Sequence, residues 1–150
     1  MSMSTILTRT ITRLIFLPTL VTAVAVLVKG YAGAGDGFSA GVIAGTGVVI
    51  QFLAFGPREL VARYPSLRRA PLLAWSGLLL GLVTAFAPVI WGDPIMTLYP
   101  RPGEDVPHLG LLAFHTAVLF DAAVFLLVFG FIVSVLGTIG NRYGSEGADS

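Results

Sequence analysis

Charged residues interrupt this chain only at long intervals, and between them the residues are apolar on every side rather than along one helical face or in strict alternation. Apolarity all round marks helices buried in lipid, not the amphipathic elements of a water-exposed domain. Four runs have the length that a hydrocarbon core about 30 Å thick demands. The first occupies about 11–29, where Ile11 and Thr12 extend the uncharged stretch between Arg13 and Lys29, and both flanking cations have stems long enough to reach the interfaces. The second covers about 37–57 and the third about 70–92. The fourth, about 111–139, is long enough to span with tilt and carries one charge, Asp121. The pattern predicts an all-α integral membrane protein, a single domain over 1–150 with four transmembrane helices.

Orientation follows from the loops. Arg9, Arg13, Arg58, Arg63, Arg68, Arg69 and Arg142 fall on one side, and only Lys29 and Arg101 on the other. The basic loop at 58–69 and both termini are therefore expected in the cytoplasm, and the loops at 30–36 and 93–110 outside, as in a multi-pass protein of the cell membrane. A secretory signal is the weaker reading of the first span, because Lys29 stands between the apolar run and the small residues near Ala32 and Ala34.

Composition agrees: 55% of residues are hydrophobic and 11% charged, against about 25% charged in a soluble domain. A net charge of +1 offers no basic field for nucleic acid. Without cysteine there is no disulfide, thiolate metal site or cysteine nucleophile. No nucleophile, base and orienter stand together, so no enzyme is indicated. No cofactor motif appears either: Phe38 stands where a dinucleotide fingerprint needs its third glycine, and no Gly-Lys-Ser/Thr ending marks a phosphate loop. His108 and His115, if helical, lie about 10.5 Å apart along the axis, too far for one metal.

The stretch from Gly30 to Gly41 joins the first two spans, and its glycines permit a sharp turn. Gly37, Gly41 and Gly45 then recur every four residues, a doubled GxxxG face suited to close helix contact. Gly77 and Gly81 repeat the device in the third span. Packing among the chain's own helices and docking to a separate subunit both fit. In the loop at 58–69 and its flanks, Pro57, Pro65 and Pro71 prevent one long helix, while the arginines fix topology and meet anionic headgroups. Trp91 and Tyr99 suggest an interfacial anchor, and Glu104 with Asp105 suits the start of the fourth helix.

Asp121 is the costly residue, about 2.5–3.5 kcal/mol at a membrane-helix centre, so it is expected to face a partner or water. Counted from Leu111 it lies about 15 Å into the helix, in the outer half or near the midplane. Its helical neighbours Phe114, Ala117, Val118, Val124, Phe125 and Val128 offer nothing, and His115 points about 120° away. Lys29 is the cation expected on the same side, and Ser39, Thr46 and Thr84 are possible hydrogen-bond donors. Three readings stay open: a polar contact that holds an interface, a proton or Na+ path, and a protonated carboxyl with no transport role.

The run Gly30-Tyr31-Ala32-Gly33-Ala34-Gly35-Asp36-Gly37-Phe38-Ser39-Ala40-Gly41 resembles the glycine signature of the MnhB/MrpB family, and Phe120-Asp121 resembles its second signature. Gly30, Gly35, Gly37, Phe38, Gly41, Phe120 and Asp121 match. Tyr31, Ala34, Asp36, Ala40 and Ala123 depart, and Tyr31 replaces a histidine, which excludes an imidazole-dependent proton step there. The resemblance implies the small B-type component of an Mrp-type multisubunit Na+/H+ antiporter, with other hydrophobic subunits, membrane lipids, Na+ and H+ as its partners. Lys29, Asp36, Asp121 and His115 become candidates for an ion path or subunit interface. Gly30, Gly35, Gly37, Phe38, Gly41, Gly45 and Phe120 become candidates for turn and helix packing. The alternative is a self-contained four-helix scaffold or small homo-oligomeric carrier.

Overall fold

Prolines stand in the first turn of the three helical pieces that come directly after the second long helix, where a missing N–H breaks no ladder. The computed structural model describes residues 3–30, 35–99, 108–109, 112–113 and 115–146. Its elements are α1 (Met3–Lys29), α2 (Gly37–Phe55), α3 (Pro57–Arg63), a 3-10 turn (Pro65–Arg69), α4 (Ala70–Ile90), strands β1 (His108–Leu109) and β2 (Leu112–Ala113), and α5 (Thr116–Glu146). Four of the helices, α1, α2, α4 and α5, are long and apolar enough to cross a membrane. Tyr31, Ala34, Arg101, Glu104 and Asp105 lie outside the described residues, and with the last two goes the expected helix-start role.

The long helices form an open row, not a closed bundle. α1 packs on α2, α2 on α5 and α5 on α4, while α1 meets α5 only marginally and α4 meets neither α1 nor α2. Two of the three seams are built on glycine. At the α2–α5 seam a Cβ at Gly37 would overlap the backbone carbonyl of Asp121, one at Gly41 would stand 3.0 Å from Val128 Cβ, and one at Gly45 2.5 Å from Ile132 Cδ1. The Gly37-Gly41-Gly45 face is thus used within the chain. At the α4–α5 seam both helices contribute: a Cβ at Gly77 would stand 2.6 Å from the Ala123 carbonyl oxygen, and one at Gly130 2.5 Å from the Ala74 nitrogen. Backbones this close gain the van der Waals contact that associates helices in lipid.

Sequence and structure differ at the start of the last helix. The apolar run begins near Leu111, but Leu112–Ala113 pairs antiparallel with His108–Leu109, and α5 begins at Thr116. Thr116 and Tyr99 hold that start. The Tyr99 N–H donates to Thr116 Oγ1 (2.8 Å), and the Thr116 N–H donates to the Tyr99 carbonyl (2.9 Å). His108 and His115 consequently never share a helix.

The α1–α2 seam contains one buried side-chain hydrogen bond. Gln51 Nε2 donates to the Thr12 carbonyl at 2.7 Å, and both residues are buried. Hydrogen bonds between membrane helices contribute about 0.6 kcal/mol on average and up to about 1.7. Gln51→Leu, which keeps the bulk and removes the donor, is expected to destabilise the protein by about 1 kcal/mol. Thermal unfolding in detergent checks this; an unchanged or raised midpoint contradicts it. Val48, Leu60, Ala70 and Val133 form a small cluster that seats α3 against α2 and α5, beside the first residue of α4.

Candidate functional site

Three segments converge on Asp121, which is 6% exposed. It lies five residues into α5, so the later helix start places it about 7.5 Å from the end of that helix rather than 15 Å. The hydrogen-bond donor is none of the candidate side chains. The backbone N–H of Gly35 donates to both carboxylate oxygens, 3.1 Å to Oδ1 and 2.9 Å to Oδ2. Gly35 has φ +123°, a conformation that side chains with a Cβ rarely adopt, and glycine reaches it without penalty. An N–H aimed at a carboxylate makes a charge-assisted bond, stronger than one between neutral groups.

Gly30 and Gly37 complete the enclosure. Gly30 closes α1 through its N–H to the Val26 carbonyl (3.0 Å), and a Cβ on it would stand 3.1 Å from Asp121 Oδ2 and 3.0 Å from Asp36 Cβ. Two acidic residues therefore flank one bare backbone atom. Asp36 sits at the N-cap of α2: its carbonyl accepts the Ala40 N–H (2.9 Å), but its carboxylate makes no cap bond. On the other side Gly37 lies against the Asp121 carbonyl, so the end of α1, the turn and the start of α2 all bear on one residue.

The other candidates fall outside this convergence. Lys29 is exposed and makes no ion pair among the described residues. Thr84 Oγ1 donates to the Leu80 carbonyl (2.8 Å), and Ser39 and Thr46 are exposed. His115 precedes α5, where its carbonyl accepts the Val118 N–H (3.1 Å). Phe38 is 59% exposed, whereas Phe120 is half-buried. Chemically, an ionised carboxylate has about four lone-pair sites, and Gly35 engages only part of them. The remainder can hold a proton or a small cation.

The opposite end holds a second polar cluster. Arg9 pairs with Glu59 at 3.4 Å, and the guanidinium groups of Arg9 and Arg13 lie 5.5 and 4.9 Å from the Phe55 ring centroid. Residue order alone foretells neither the Gln51–Thr12 bond nor this cluster. A signal for the first was present, since an amide inside an apolar span normally faces a partner.

Apolar helices in an open row, with one enclosed carboxylate near the end of a helix, define a multi-pass membrane protein. The protein belongs to the MnhB family: the family described as a domain related to the MnhB subunit of Na+/H+ antiporter matches residues 7–134. Among its relatives, the B-type component of the Na(+)/H(+) antiporter of Alkalihalophilus pseudofirmus is 28% identical over 134 residues, covering 89% of this chain and 91% of the relative. The putative antiporter subunit mnhB2 of Staphylococcus aureus strain Newman is 30% identical over 128 residues, covering 85% and 89%. The resemblance seen in the glycine turn and in Phe120-Asp121 thus extends over most of the chain.

Proposed function

We infer that this chain is the B-type accessory subunit of a multisubunit Na+/H+ antiporter of the cell membrane, with both termini cytoplasmic and the loop at 30–36 facing outward. Asp121 is its contribution to cation passage. The observation that carries the reading is the Gly35 N–H on both oxygens of a buried carboxylate, with Asp36 beside it. Asp121 is the one buried charged residue among the described residues, which therefore do not supply the succession of groups that a complete proton relay needs. Other subunits supply that relay, and Asp121 lines the outer part of the route. The open row suits an accessory role, since α1 and α4 each leave most of their surface to lipid or neighbouring subunits.

Purification separates this reading from a self-contained scaffold or homo-oligomeric carrier. The tagged chain, extracted in mild detergent from its own cells, is expected to bring several other hydrophobic subunits with it. Reconstituted alone in liposomes it is expected to give no Na+/H+ exchange. Exchange by the isolated chain would overturn the accessory role.

A further inference from the structure

The basic end contains a cavity of about 230 Å³ among α1, α2, α3 and the residue that follows α3. Arg13, Arg63, Gln51 and Tyr64 supply its polar lining, and Phe55 and Leu60 are among its apolar walls. Its charge is not balanced. Glu59 also lines it, but that carboxylate is taken by Arg9, and neither Arg13 nor Arg63 has a carboxylate partner among the described residues. Beside the same Phe55 ring, the Arg9 Nε is buried without a hydrogen-bond partner. A cavity with two uncompensated guanidinium groups and an apolar wall fits a phosphate at the polar–apolar boundary of a bilayer.

The surface leading away from the cavity suits a lipid as the source of that phosphate. Four residues beyond Arg13 on the same helical face is Leu17, and Val21, Val24 and Val28 continue the line, each more than half exposed. From Leu17 to Val28 the track covers about 16 Å of α1, a length that an acyl chain can follow. The cavity is smaller than the roughly 300–1,000 Å³ of a site for a drug-sized ligand, so it suits a headgroup rather than a whole molecule. We propose that Arg13 and Arg63 bind the phosphate of one anionic phospholipid, whose acyl chain lies along the face of α1 that carries Leu17, Val21, Val24 and Val28. This site is separate from Asp121 and does not rest on the antiport reading.

Native mass spectrometry of the full chain in detergent, titrated with phosphatidylglycerol or phosphatidylcholine of equal chain length, tests it. One phosphatidylglycerol should be retained per chain in preference to phosphatidylcholine. At about 1 kcal/mol per arginine, Arg13→Gln with Arg63→Gln should weaken retention roughly 30-fold. Arg68→Gln with Arg69→Gln removes the same charge outside the cavity and should leave retention within about three-fold of the unmodified chain, because more distant exposed charges are screened. If the glutamine pair misfolds, Arg13→Lys with Arg63→Lys serves in its place: it keeps the charge but loses bidentate geometry, and should retain the lipid with reduced affinity. Equal loss in the cavity and control pairs, lysine variants equal to the unmodified chain, or no preference for phosphatidylglycerol would overturn the site. Full displacement of the lipid by millimolar inorganic phosphate would overturn the lipid as its source.

Discussion

Replacing Gly37 by alanine is expected to open the α2–α5 seam and cost at least about 3 kcal/mol, at or above the upper end of ordinary overpacking. The added methyl group would occupy the space of the Asp121 backbone carbonyl and stand 2.9 Å from its Cα. A helix backbone cannot rotate out of the way as a side chain can. The same change two turns further on meets a different neighbour, since the nearest atom to a Cβ at Gly45 is Ile132 Cδ1, the end of a flexible side chain. Gly45→Ala is therefore expected to destabilise clearly less. Thermal unfolding of both variants in detergent provides the check, and equal losses would mean that the seam is not held by backbone contact at Gly37.

Asp121→Asn is expected to reduce Na+/H+ exchange at least ten-fold, about 1.4 kcal/mol in the barrier, while the complex still assembles. Asparagine has nearly the shape of aspartate and keeps one carbonyl oxygen for the Gly35 N–H, so the turn stays anchored. It loses the negative charge, the second strong acceptor and the capacity to take up and release a proton. If the carboxylate only braced three segments, the amide would serve nearly as well. If it meets the moving ion or proton, it would not.

The helices were legible because lipid imposes so simple a demand. In the structure Lys29 ends α1 and Ala70 begins α4. The order of the row was not legible: each helix is apolar all round, so periodicity names no inward face and gives no partner. The glycine ladder announced close packing without naming α5 as its neighbour. Leu112–Ala113 reads as part of a span because a short apolar run does not distinguish strand from helix. Asp121 stands out in the sequence as a buried charge in need of a partner, with Lys29 as the cation expected on the same side. The donor was hidden because it is a backbone N–H, present at every non-proline residue and aimed here only by the positive φ of Gly35. Lys29, Ser39, Thr46 and Thr84 stand out instead because side chains are what a sequence displays.

Central to this function is that the charge of Asp121, beyond its contact with Gly35, serves cation passage. The direct measurement is Na+-dependent proton movement in everted membrane vesicles carrying the Asp121→Asn complex, normalised to intact complex resolved on a native gel. The expected result is a normal amount of complex with exchange lowered at least ten-fold. Normal complex with unchanged exchange would contradict it, and loss of the complex itself would make Asp121 a structural clamp instead.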